Sequence, residues 1–293
     1  MKMYVAAASL MMLIGACRAA PTQQPNRIVA IGDLHADLPA ALSTLQMAGL
    51  VDASGHWSGG TDTLVQTGDI TDRGPDSLEL IELMTRLEVE AEAAGGTVIA
   101  LMGNHEMMNL VGDWRYVSPE DITDFGSVEA RKAAFAPSGA LGSWLLRRDA
   151  VAMVDGIVFA HGGVSARYAE QGVAALTAQV HGALSGQGSP EVLSEEGPMW
   201  YRGYLQAPEP IACEELSRAL TALGAHRMIV GHTTQSSGQI ASRCGGALLG
   251  IDTGISSHYG GHHSAVQIRS GDARAIYPHG QVDLPDPAGA TAR

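Results

Sequence analysis

Basic residues are scarce in this chain: 18 lysines and arginines stand against 31 aspartates and glutamates, a net charge of -13 over 293 residues. Such a surface repels phosphate backbones, and no basic stripe reverses the balance, so the reading excludes nucleic acid as a partner. Cysteine is scarcer still. Only Cys17, Cys213 and Cys244 occur, with no Cys-x-x-Cys pair, so no thiolate metal site is indicated. No internal repeat of fixed period is present. The apolar run at Met3 to Ile14 is shorter than the roughly 20 residues of a spanning helix. What the chain does have is a 45% hydrophobic fraction with 17% charged residues, which supports a packed core and argues against general disorder.

The ends read as accessories to a body spanning 27–280. Lys2 and the apolar run have the form of an export signal, and Ile14-Gly-Ala-Cys17 resembles the bacterial lipobox. Residues 1–17 are therefore expected to be a signal peptide and 18–26 a polar, proline- and glutamine-rich tether. This predicts an exported protein, periplasmic or anchored to the envelope as a lipoprotein, touching the membrane only through a lipid on Cys17. An ordinary cleaved signal with an incidental cysteine is the other reading. Residues 281–293 are expected to be a flexible tail. In an oxidising compartment Cys213 and Cys244 form either a disulfide or two buried free thiols, because sequence does not show how close their Cα atoms come.

Within the body a grammar recurs: a short apolar β-type run, then a glycine-bearing turn that carries a metal-ligand side chain. Arg27 to Ile31 leads into Asp33 and His35, Thr63 to Thr67 into Asp69, and Thr97 to Met102 into Asn104 and His105. Gly156 to Ala160 leads into His161, and Arg227 to Val230 into His232. Continuous hydrophobicity predicts strands buried on both faces, and the helical patterns at Leu38–Ala48 and Ser77–Ala94 predict a layered α/β fold. Met107 to Arg148 reads as mainly helical with a start at Ser118-Pro119, and Gly182 to Pro198 as a long surface loop. A lone Gly-Asp turn means little. Five such turns, all ending in hard or borderline metal ligands at strand ends, point to one site.

The ordered set Gly32-Asp-Leu-His35, Gly68-Asp-Ile-Thr-Asp-Arg-Gly74, Gly103-Asn-His-Glu106, His161-Gly-Gly163 and Gly231-His-Thr233 resembles the calcineurin-like metallophosphoesterases. The Asp-Arg-Gly and Asn-His-Glu forms resemble the phosphoprotein phosphatase branch. Met199-Trp-Tyr-Arg-Gly203 and the stretch after Asn104 are similar to its bacterial Shewanella-like group. The resemblance covers roughly Arg27 to Pro278 and implies a layered metallophosphoesterase-type β-sandwich flanked by helices.

It also implies a mechanism. Two divalent ions about 3.5–4 Å apart activate water, orient the ester and neutralise developing charge. Asp33, His35 and Asp69 are implied ligands of the first ion; Asp69, Asn104, His161 and His232 of the second. Manganese is favoured over iron or zinc. His105 is implied as the general acid on the leaving oxygen, with Asp72 holding it, and Arg73 and Arg202 as a guanidinium clamp on phosphate. The substrate is expected to be a phosphorylated protein side chain, Ser/Thr or Tyr. A small phosphoanhydride or nucleotide is the alternative, and a non-catalytic metal-binding envelope lipoprotein the third reading.

The pattern departs from the family at Ala36, Met102 and Thr234. The last stands where other metallophosphoesterases carry a further histidine. Glu106 is expected to be structural, and Trp114, Trp144 and Trp200 to pack. His258, His262 and His263 are read as either an active-site rim or a solvated turn.

Overall fold

A computed structural model describes residues 27–287, so the signal, lipobox and tether expected at 1–26 lie outside the described residues. Its strands are β1 (Ile28–Ile31), β2 (Thr63–Gln66), β3 (Thr97–Ala100), β4 (Val151–Val154), β5 (Ile157–Ala160), β6 (Arg227–Val230), β7 (Ala241–Arg243), β8 (Leu248–Gly250), β9 (Ala265–Arg269), β10 (Asp272–Tyr277) and β11 (Gly280–Asp283). The helices are α1 (Leu38–Met47), α2 (Ser77–Ala94), α3 (Asn104–Val111), α4 (Pro119–Asp124), α5 (Val128–Phe135), α6 (Ala140–Leu145), α7 (Ala166–Ala169), α8 (Val173–Leu184), α9 (Gly203–Gln206) and α10 (Glu209–Leu223).

Two mixed sheets result, flanked by helices. One has the order β11-β10-β9-β1-β2-β3 and the other β4-β5-β6-β8-β7. The five strands of the sequence grammar run parallel within their sheets, β1 with β2 and β3, and β5 with β6. All their carboxyl ends therefore deliver loops to a common edge.

Side-chain alternation explains the continuous apolar runs. On β1, Ile28 and Ala30 join Val65, Phe159, Ile229 and Leu249 in a core between the sheets. Val29 and Ile31 face the other way, against Leu45, Leu80 and Met84 of α1 and α2. A strand buried on both faces has no polar phase to show. The edge strand β3 is the exception, with Thr97 exposed and only Ala100 fully buried. Outside the second sheet, Val158, Ala160, Met228 and Val230 pack against Leu176, Tyr204 and Leu216.

Local chemistry sets the helix ends. Asp37 caps α1 by accepting from the Ala40 N–H at 3.0 Å, and Ser118 caps α4 by accepting from Asp121 N–H, with Pro119 in the first turn. Two expectations change, and one open question closes. The tail predicted from 281 is in part structured: β11 pairs with β10, and the buried Arg227 guanidinium donates to the Pro285 carbonyl and the Asp286 carboxylate. A segment that satisfies a buried charge is held by it. The loop predicted over 182–198 includes the end of α8 and a short helical turn at Pro190–Leu193, anchored by the fully buried Val192. The cysteine question resolves as a disulfide: Cys213 and Cys244, with Cα atoms 5.4 Å apart, tie α10 to the turn after β7.

Candidate metal centre

The strand-end loops take backbone conformations that few side chains tolerate. Nine non-glycine residues among those described have positive φ, and five of them (His35, Asp69, Asp72, Arg73 and His232) are site residues expected from the sequence. Each such residue costs of order 1–3 kcal/mol and persists only where its surroundings over-determine it. Close approach sets the glycines. A Cβ on Gly103 would sit 2.2 Å from Asp69 Oδ1, and one on Gly231 would sit 2.4 Å from Asp33 Oδ1.

Glu106 does most of the over-determining. Its Oε2 accepts from the backbone N–H groups of Asp69 (2.7 Å) and Gly103 (2.9 Å). Its Oε1 accepts from the N–H groups of Ile70 and Thr71 and from the Thr71 hydroxyl, each at 2.9 Å. One buried carboxylate thus binds a nest of backbone donors and, through the Gly103 N–H, fastens the start of α3. The structural role expected of it is to clamp the β2 loop onto α3.

The side chains from the five strand ends converge. His161 Nε2 lies 3.3 Å from Asp69 Oδ2, 2.9 Å from Asn104 Oδ1 and 3.1 Å from His232 Nδ1. His35 Nε2 lies 3.8 Å from both Asp33 Oδ2 and Asp69 Oδ2. Two groups of possible donor atoms, His35–Asp69–His105 and Asp69–His161–His232, share Asp69. Every expected metal ligand is buried. Burial drives the His35 imidazole down to about 3 and that of His232 to about 2, so both are neutral and free to ligate. Asp33 is pushed well above the carboxylate range by burial and by its neighbours Asp252 and Asp69. Burial also pushes Asp69 up, but the imidazoles of His161 and His105 outweigh it and hold it well below that range.

Divalent cations fit this chemistry. Ring nitrogens and an amide oxygen crowd together facing buried carboxylates, and His232 Nε2 and His35 Nδ1 have no hydrogen-bond partner. Divalent cations would ligate these acceptors and offset the buried carboxylates. The His/Asp cluster fits a dinuclear site.

Beside it, His105 Nδ1 pairs with Asp72 Oδ2 at 2.9 Å. Burial opposes the charged imidazole, but Asp69 and Asp72 outweigh it and raise the His105 pKa. Arg202 donates to the His232 carbonyl at 2.9 Å. Arg73 stacks on Tyr116, 3.9 Å from its ring centroid, and its buried Nε has no partner. All ten site residues expected from the sequence therefore come together on this one edge: Asp33, His35, Asp69, Asp72, Arg73, Asn104, His105, His161, Arg202 and His232.

Several neighbours were not legible. Asp252, beyond β8, is a further buried carboxylate beside Asp33, and it pairs with Thr234, the departure from the family pattern. Tyr116 lies 5.1 Å from the His105 ring and Tyr259 lies 4.7 Å from His35. Trp200, expected only to pack, stands edge-on to His232 at 5.5 Å. In the histidine-rich turn, His258 packs on Tyr259, while His263 Nδ1 pairs with the Thr44 hydroxyl. Asn109 had a usable signal, since it follows His105 by four residues on one helix face.

Comparison with known proteins agrees with this geometry. The family model described as calcineurin-like phosphoesterase matches residues 26–236. An uncharacterized protein of Schizosaccharomyces pombe is 41% identical over 271 residues, covering 88% of this chain and 81% of that protein. Shewanella-like protein phosphatase 2 of Arabidopsis thaliana is 31% identical over 284 residues, covering 80% and 72%. A crystal structure of the cold-active protein-tyrosine phosphatase of a psychrophilic Shewanella species superposes with a TM-score of 0.77 at 25% identity, covering 89% of this chain and 80% of that one.

Proposed function

Because the chain belongs to the calcineurin-like phosphoesterase family, we propose that its hydrolysis of phosphoric monoesters is directed at phosphorylated protein side chains, with phosphotyrosine favoured. The observation that carries the reading is the sharing of Asp69 between two clusters of possible donors. Asp33, His35 and Asp69 would hold one ion, and Asp69, Asn104, His161 and His232 would hold the other. When bound, the ions supply an activated water and neutralise charge on the ester.

The remaining steps belong to side chains. Arg73 and Arg202 grip the non-bridging phosphate oxygens, for which a planar guanidinium is suited. His105 donates a proton from Nε2 to the leaving oxygen, while Asp72 fixes the ring through Nδ1. The relatives named protein phosphatases support a protein substrate. Support for phosphotyrosine comes from the neighbour named a protein-tyrosine phosphatase and from Tyr116 and Tyr259, whose rings border Arg73 and offer apolar walls to an aryl group.

Carboxylate, amide and imidazole donors suit manganese, which we favour among the ions available to such a site. We also propose export and anchoring through Cys17, supported by the apolar run and small residues before it. Replacement Cys17→Ser is expected to release the protein from membranes; unchanged partitioning would sink the anchor.

The decisive test compares a phosphotyrosine peptide, a phosphoserine peptide and a dinucleoside polyphosphate as substrates of chelated and manganese-restored protein. Metal-dependent hydrolysis fastest on the phosphotyrosine peptide is expected. Preference for the dinucleotide would transfer the site to phosphoanhydride chemistry.

A further inference from the structure

The buried face behind Asp72 carries a chain of hydrogen bonds that none of the proposed chemistry uses. Asp72 Oδ2 is committed to His105, while Oδ1 accepts from Asn109 Nδ2 at 2.9 Å and from an Arg131 terminal nitrogen at 3.4 Å. The other terminal nitrogen of Arg131 donates to Asn109 Oδ1 at 2.7 Å, and its Nε donates to Asp121 Oδ2 at 2.6 Å. Arg131, Asp121 and Asp72 are fully buried, and the guanidinium packs 4.2 Å from the centroid of the Phe135 ring.

Donor chemistry makes this arrangement directional. A guanidinium has no acceptor, so the Asn109 amide must turn its oxygen to Arg131 and its nitrogen to Asp72. Asp72 is then gripped at one oxygen and presents the other to His105 Nδ1. Buried charges cost desolvation that pairing repays only in part, so such a network is a poor device for stability and a good one for orientation.

We propose that Arg131 and Asn109 are positioning residues for the proton donor. Reaching across from α5 and α3, they hold Asp72 so that the His105 ring faces the leaving oxygen. This rests on the assignment of His105 as general acid, and the experiment separates the two.

The readout is leaving-group dependence, which a purely structural role does not move. Dinitrophenyl phosphate departs without help, whereas phenyl phosphate needs a proton. In metal-loaded full-length protein, Asn109→Ala is expected to lower kcat on phenyl phosphate about 10-fold or more while dinitrophenyl phosphate stays within about twofold, since general acids contribute 10²–10⁴ only where protonation limits. KM and bound metal should hold. Arg131→Gln should show the same split; if it does not fold, Asn109→Ala decides alone. His105→Asn is the reference. A split with His105→Asn and none with Asn109→Ala overturns the positioning role and leaves the acid in place. No split even with His105→Asn overturns the acid, and the positioning role with it.

Discussion

On the metal side of the centre, each expected ligand lies within four residues of a strand end, whereas on the side of the proton donor the groups that back Asp72 and Arg73 come from helices α3 to α5 and the turn between α3 and α4. The first region uses the sheets as a rigid frame. Parallel strands end together, so side chains distant in sequence meet with little freedom left to lose. The second region is assembled by tertiary contacts of one inserted stretch, through Tyr116 under Arg73 and through Asn109 and Arg131 behind Asp72. The difference separates holding ions from aiming a proton. Frame residues should govern whether metals bind, and helix-borne residues should govern how well bound metals are used.

The sharpest way to break this division is Asp69→Asn. Because Asp69 stands in both donor groups, metal analysis should find both ions depleted and p-nitrophenyl phosphate turnover at background. Retention of two ions would abolish the division. His105→Asn should behave oppositely, keeping metal while turnover falls roughly 10²–10⁴-fold. Joint loss of both would place His105 in the frame. Glu106→Gln sharpens the comparison through stability. An amide nitrogen would face backbone N–H groups that now donate to carboxylate, and a drop of about 3 kcal/mol is expected in chelated protein by urea unfolding.

The smallest effect is a control far from both regions. The Glu90 carboxyl is lowered from 4.5 to about 2 by the Trp57 N–H and by His56 and Arg86. A depressed folded pKa adds stability above the unfolded value of 4.5 and loses it as pH falls toward 2. Glu90→Gln should therefore destabilise at neutral pH, by less than about 1 kcal/mol for a half-buried group that solvent still screens, and match the parent near the acid limit. Thermal melts across pH would read this without any change in turnover per bound metal.

How much was readable follows the same line. The strands, α1 and α2 announced themselves because burial on one or two faces leaves a periodic trace in the residues themselves. The site residues announced themselves because short turns keep glycine and ligand adjacent. Arg131 left no such trace: a charged residue in an amphipathic helix reads as solvated until the fold closes over it, and the partners that bury it lie 10, 22 and 59 residues away. Asp252 was hidden for a different reason, since β8 is only three residues long and the acid that follows it was not among the five strand-end turns. The start of the tail was misjudged because its partner, Arg227, opens a strand whose other residues are apolar.

The clamp made by Glu106 bears on how the protein is loaded. Loop and helix are joined by a carboxylate belonging to the chain, so their spacing does not wait on an ion. Uptake is then a simple filling of a ready receptacle, without the coupled folding that small zinc modules require. Chelation is then expected to stop turnover while this join between loop and helix persists.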